Sequence, residues 1–334
     1  MIRTVILGTS LALLTACSSS NPFTDDGTGG TGGTGGGAST ANQLPEGVQG
    51  DVRRISYTPG DSTITVEGIT LDETQISSVY KRNASFDRPG YQAFVAQDDL
   101  LDRQSIALVA QSGNSGRVRA GAVVTGGQFN RVFSGNYAER TGGFTPPNVT
   151  PTTGLVSYAG TYAGLTNGGP DLPVPPGTPI EIVPNQPTIV TGTVFINADF
   201  ADNQVNGAIY DRNLETASGT TIIPIPSIVL IASDIANDGT FEGTVEYSPE
   251  QGNPAVLGDF SKVIGESIGD YGGVFGGPGA EAVGGAVVLN EFDGPDDPRN
   301  METELEWGVF VLDQCGTPDA SAAICASTNP DAGS

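Results

Sequence analysis

Histidine is absent from this 334-residue chain, lysine occurs twice (Lys81 and Lys262), tryptophan once (Trp307) and cysteine three times. Without an imidazole there is no His-based zinc site, and neither Ser-His-Asp nor Cys-His catalysis can be assembled. Cations are scarce as well. Fourteen Lys and Arg against 38 Asp and Glu give a formal charge of −24, so phosphate backbones repel the chain and nucleic acid is excluded as a partner. Nothing in the order of the acids places two carboxylates at the spacing of about 5–9 Å that a glycosidase needs. No enzymatic activity, cofactor or metal is expected. A sustained helical period is missing too: no segment holds one for three turns. What the sequence has in plenty is punctuation. With 48 Gly, 23 Pro and 37% hydrophobic residues, it reads as a turn-rich, all-β globular protein.

The first residues carry the clearest address. Met1, Ile2 and Arg3 give a positive start, residues 5–14 an apolar run too short to span a bilayer, and Leu14-Thr15-Ala16-Cys17 resembles the lipobox of bacterial lipoproteins. Residues 1–16 are therefore expected to be a cleaved signal peptide, with Cys17 carrying the lipid, palmitate included, that holds the protein to the outer membrane. Residues 17–47, rich in Gly, Ser and Thr, are expected to be a flexible tether spanning about 30 Å. With Cys17 lipidated, Cys315 and Cys325 remain, and in an exported protein that pair is expected to form a disulfide.

Residues 48–146 contain seven short β-forming runs between Gly, Asn, Asp and Pro clusters and are expected to form an N-terminal β-rich domain, the last run being residues 129–133. Ser78 and Lys81 match a Ser-x-x-Lys spacing, but β-branched and aromatic neighbours put them on a strand, where i and i+3 face opposite ways. A proline-rich joint at residues 144–153 marks the domain boundary. Residues 147–295 then hold eight candidate strands: 155–162, 189–200, 205–212, 227–232, 240–247, 255–264, 271–275 and 285–290. Eight is the number that closes a small antiparallel barrel. Phe241, Gly243, Val245 and Tyr247 alternate with Thr240, Glu242, Thr244 and Glu246, as in a strand buried on one side. Asp234 to Gly239 resembles the start of a calcium loop but lacks two ligand positions, so a hairpin turn is the expectation. Residues 296–334, with a last short strand at 305–313 and the cysteine pair, are expected to be a C-terminal tail.

The segment that organises the barrel is residues 271–289, YGGVFGGPGAEAVGGAVVL. It reads as strand, tight turn, strand, with Pro278 opening a single helical turn and Gly284 supplying the positive φ that ends it. It resembles the G-x-F-F-G-P-x-A-E-E-x-G-G signature near the end of the eight-stranded barrel in transferrin-binding protein B and related surface lipoproteins. Gly273, Phe275, Gly277, Pro278, Ala280, Glu281, Gly284 and Gly285 match, with Gly276 in place of the second aromatic and Ala282 in place of the second acid. Tyr158-Ala159-Gly160-Thr161-Tyr162 is similar to the opening of that family's barrel. The resemblance implies an eight-stranded antiparallel up-and-down barrel preceded by a smaller, handle-like β domain. It also implies a non-enzymatic surface lipoprotein that binds a protein or a haem- or iron-carrying ligand through barrel loops, with an outer-membrane translocon as a further partner. The alternative is a lipocalin-type barrel with an apolar small ligand in its lumen. Of the two loops that interrupt the barrel, residues 166–187 hold seven prolines. Asp171, Leu172, Val174 and Ile180 are the expected contact residues there, and residues 213–226 form a shorter second loop.

Overall fold

The computed structural model describes residues 42–69, 75–113, 116–127, 132–150, 154–249, 263–292 and 305–328, all within one compact unit that spans residues 38–334. Cys17, the signal segment and most of the tether lie outside the described residues.

Seven antiparallel strands form the first sheet in sequence order: β1 (Val52–Ser56), β2 (Thr63–Ile69), β3 (Gln75–Arg82), β4 (Gln92–Ala96), β5 (Ser105–Gln111), β6 (Val118–Thr125) and β7 (Ser134–Arg140). Ser78 and Lys81 lie on β3, as their neighbours predicted. The expected run at 129–133 lies mostly outside the described residues, and the seventh strand begins at Ser134. Its sequence, SGNYAER, lacks a hydrophobic alternation because buried polar side chains stand in it: Glu139 pairs with Arg119, and the Asn136 amide donates to Val287 O. The sheet curls until β1 and β7 almost meet, and the end of the tether fills the seam. Gln43 N–H bonds Ala138 O and Asn42 N–H bonds Arg53 O, while the Asn42 side chain donates to Val52 O and Asn136 O. Asn42 and Gln43 thus act as a short closing stave, and helix α1 (Glu46–Gln49) follows.

The second sheet is a closed ring of eight antiparallel strands: β9 (Leu155–Thr166), β10 (Thr188–Asp199), β11 (Gln204–Glu215), β13 (Ile228–Asp234), β14 (Thr240–Tyr247), β15 (Ser267–Pro278), β16 (Ala282–Leu289) and β17 (Glu306–Asp313). Two short strands lie off it, β8 (Phe144–Thr145) on β15 and β12 (Thr221–Pro224) on β11. The expected all-β fold with an eight-stranded barrel is therefore present, with a different eighth strand. The run at 255–264 lies almost wholly outside the described residues. The strand that completes the ring is β17, assigned above to the tail, which pairs with both β16 and β9. Its outward residues Trp307, Val309 and Val311 are apolar because the first sheet covers them, and a strand buried on both faces reads as buried tail as readily as barrel wall.

The lumen is a packed core. Phe275 sits at its centre, with ring centroids of Phe241 at 5.1 Å, Phe200 at 5.2 Å, Tyr158 at 5.6 Å and Phe144 at 6.2 Å. Such pairs contribute about 0.5–1.5 kcal/mol each beyond area burial. Further along, the lumen holds an ion pair with no solvent exposure. Arg212 donates to Glu306 at 2.5 Å and to Pro226 O at 2.5 Å, and the Tyr162 hydroxyl donates to the other Glu306 oxygen at 2.6 Å. Burial and the Glu306 carboxylate push the Tyr162 phenol well above its ordinary pKa, so it remains a donor. Gly164, Gly192 and Gly308 line the wall beside these three side chains, leaving the space that a Cβ would take. Isolating either charge is costly in such a site, whereas removing both is not. Glu306→Leu is expected to cost about 3–5 kcal/mol, and Arg212→Met with Glu306→Leu to recover most of that loss. Urea midpoints at unchanged m-value check this, and a double variant no more stable than Glu306→Leu would contradict it.

Candidate binding surfaces

The signature segment occupies β15, its turn and β16, and five of its seven glycines face one side or the other of the barrel wall. Facing outward, Gly272 accommodates Pro45, whose ring would lie 2.9 Å from an added Cβ, and Gly276 accommodates Val118 at 2.7 Å. Gly284 also faces Val118. Inward, Gly273 leaves room for the Phe241 ring and Gly285 for that of Phe310. The expected helical turn is not there. Strand β15 runs on through Pro278, and the chain reverses through positive φ at Gly277 (81°), Gly279 (70°) and Ala280 (56°), while Gly284 is not among the positive-φ positions. Backbone pairing to β8 holds Pro278 extended instead. Buried Ala280 tolerates the left-handed region because its neighbours fix it: its N–H donates to Thr145 O, and its carbonyl accepts from Tyr158 OH at 2.6 Å. Glu281 pairs with Arg117 of the first sheet, so the signature's acid docks one sheet on the other.

The proline-rich segment is an ordered arm. Its stem is a two-stranded ladder in which Asp171 bridges Asn185, Leu172 N–H bonds Pro184 O and Gln186 N–H bonds Pro170 O. The stem lies against the rim of the first sheet, where Asn185 N–H bonds Gly127 O and the Gln186 side chain bonds Gln104. A Cβ at Gly126 would overlap Asn185 O, so glycine is required there. Beyond the stem, Gly177 at φ 89° and the 3-10 turn Ile180–Ile182 shape the tip. Asp171 is exposed, Leu172 and Val174 are half-buried, and Ile180 is 68% exposed. The structure thus places Val174 and Ile180 in the tip and Asp171 and Leu172 in the stem. The second loop forms β12 and the turn at 216–220. That turn is tied to the first sheet by Arg88, which donates to Thr216 O and Ala217 O and pairs with Glu215.

Cys315 and Cys325 are disulfide-bonded. The bridge closes the loop that carries helix α2 (Ala322–Thr328), and Cys315 N–H bonds Ser157 O at the start of the barrel. In the chain-entropy account, a loop of this length stabilises by about 2–3 kcal/mol. Beside it, Asp313 accepts from Gly113 N–H. Burial, and then the nearby Asp319 and Glu281 carboxylates, push Asp313 above its ordinary 3.8 despite that hydrogen bond.

Charge is divided between the two sides of the barrel. Residues 155–249 carry ten acids and a single base, the buried Arg212, so the wall of β10, β11, β13 and β14 presents carboxylates with no exposed cation among them. Asp234 and Asp238 do not form a calcium loop. They flank a hairpin turn in which the Asp238 carboxylate accepts from Thr240 N–H and Oγ1, contacts that also lower its pKa. No helix among the described residues is long and apolar enough to cross a membrane. Sequence reasoning missed the Arg212, Glu306 and Tyr162 cluster. The one signal for it was that the only base between residues 155 and 249 stands in a β-forming run.

What these features define is a class: a two-sheet, all-β scaffold whose barrel is filled with side chains. No family model matches the sequence and no curated protein does. Among solved structures, the chain is similar to a transferrin-binding protein B double mutant from Haemophilus parasuis Hp5, with 13% identity, a TM-score of 0.37, and 78% of this chain and 53% of that one covered. It is also similar to a transferrin-binding protein B mutant from Actinobacillus pleuropneumoniae H49, with 16% identity, a TM-score of 0.33, and 83% and 98% covered. For intact Ap-TbpB with N and C lobes the values are 13%, 0.35, 78% and 54%, so the chain spans about half the length of that two-lobed protein. These values leave the reading of the surfaces to the chain's own geometry.

Two expectations follow. Gly285→Val drives a side chain into Phe310 and toward Gly272 O, 2.6 Å from the new Cβ, and should abolish a cooperative thermal transition or lower its midpoint sharply. Gly279→Ala meets no atom and pays only for its positive φ, about 1 kcal/mol, and equal losses from the two variants would contradict this division. For Asp313, a folded pKa above the unfolded value means that ionisation costs stability as pH rises from 3.8. Asp313→Asn should therefore raise the melting temperature at neutral pH, with the gain vanishing below pH 3.8. A lower melting temperature at neutral pH would contradict it.

Proposed function

We propose that this chain is a lipid-anchored protein of the outer membrane and cell surface that captures a protein ligand, including one that carries iron or haem, by the external surfaces of its barrel. The observation that carries this reading is the filled lumen. Tyr158, Tyr162, Phe241, Tyr271, Phe275 and Phe310 are all buried in it, and an interior packed with side chains has no room for the apolar ligand of a lipocalin. Binding then falls to the outside, where the proline arm is the best-prepared element. Its prolines and its ladder fix the tip before any partner arrives, which reduces the ordering entropy lost on docking. Asp171, Leu172, Val174 and Ile180 are the contact residues, with Ile180 as the exposed apolar anchor and the acidic barrel wall favouring a partner with a basic face. The lipobox at Leu14 to Cys17 and the Gly/Thr-rich tether supply the anchor, and an outer-membrane translocon would deliver the protein to the surface.

Two measurements test this. Cys17→Ser should move the protein from the membrane fraction to the soluble one, and a variant that still sediments with membranes after a salt wash would refute the anchor. Replacing residues 173–183 with a short Gly/Ser turn keeps the stem and should leave circular dichroism and melting unchanged. The same change should weaken capture of partner proteins from growth medium by at least about tenfold. Unchanged capture would move the contact to the 213–226 loop or to the first sheet.

A further inference from the structure

A groove of about 560 Å³ lies outside the lumen, between the end of the tether and the β13–β14 hairpin. Leu44 and Pro45 line one side and Ala236 and Thr240 the other, and the carboxylates of Asp234 and Glu242 stand on exposed positions at its rim. Its walls are fixed before any ligand arrives. Asn42 and Gln43 are bonded into the seam of the first sheet, Pro45 rests on Gly272, and Gly272 pairs in register with Glu242. The hairpin side is held by Gly239 N–H on Ala236 O and Ala236 N–H on Thr240 O. Among the described residues, no lysine or arginine lines the groove. Arg140, which comes to Asp238 O at the hairpin tip, is engaged with Phe275 O and stacked on Phe144.

We propose that this groove is a second binding site, for a short extended segment of a partner protein in which a lysine or arginine is flanked by apolar residues. The aliphatic stem of such a side chain matches Leu44, Pro45 and Ala236, and its charged head reaches the two rim carboxylates. The volume falls within the range of sites that hold a few residues. The site is separate from the proline arm. It lies where the chain enters the folded unit, so its occupant also rests on the Asn42–Gln43 stave.

The test uses the full chain and a capped Leu-Arg-Leu-Arg-Leu-Arg peptide, with Leu-Glu-Leu-Glu-Leu-Glu as its counterpart, titrated by calorimetry. Wild type should bind the arginine peptide and not the glutamate one. Asp234→Asn with Glu242→Gln should weaken binding about tenfold, while Glu246→Gln with Asp270→Asn, which removes the same charge further along β14 and β15, should weaken it less than about twofold. Ala236→Trp, a change at an exposed position, should fill the groove and block binding with the melting temperature preserved. Absence of binding by wild type, equal losses from the two charge pairs, or undiminished binding by Ala236→Trp would each overturn the proposal.

Discussion

The close approach of two sheet backbones across β15 and β16 is the constraint on which the rest of the structure depends. Gly272, Gly276 and Gly284 turn bare backbone outward, so Pro45 and Val118 come within the distance that a Cβ would occupy. On the inner face of the same strands, Gly273 and Gly285 admit the rings of Phe241 and Phe310. One pair of strands thus serves two cores, the lumen and the layer between the sheets. That layer is built from small residues such as Ala93, Ala120, Ala122, Ala138, Ala163 and Ala286. Interiors are close-packed, so a methyl group added at Gly272 or Gly276 must displace the short, stiff side chain of Pro45 or Val118 and the backbone that carries it.

From this follows the two-sided character of the barrel. Strands β9, β15, β16 and β17 are largely buried on both faces because the first sheet covers much of their outer side, whereas β10, β11, β13 and β14 are buried on the inner face and carry a polar, acidic outer one. Arg117 with Glu281, and Arg88 with Glu215, tie the edges of the contact together. With the lumen filled by side chains, the arm, the acidic wall and the groove beside the tether are the features that the barrel presents outward.

How much of this could be read from the sequence depended on how each strand is buried. Strand β14 shows its alternation plainly because only one face is covered, and Phe241, Val245 and Tyr247 are indeed in the lumen. Strand β17, covered on both sides, shows none and was read as tail. The motif at 271–289 was legible as a reversal but not in its turn geometry, because Pro278 and the glycines suit a helical turn as well as an extended strand held by β8. The arm was legible as a loop from its prolines, yet its zipped stem depends on Gly126 and Gln104, which are distant in sequence. The same holds for Asn42 and Gln43: a polar pair after a Gly-rich stretch gives no local sign that β1 and β7 leave a seam for it.

Whether the shared glycine-lined layer makes one cooperative unit of both sheets is tested most directly by native-state hydrogen exchange. Amides of β5 to β7 and those of β15 to β17 should exchange through the same global opening, with equal free energies and equal denaturant dependence. If the first sheet instead exchanged through its own opening at a lower free energy, with the barrel still protected, the layer would be a contact between two independent domains and the account would fail.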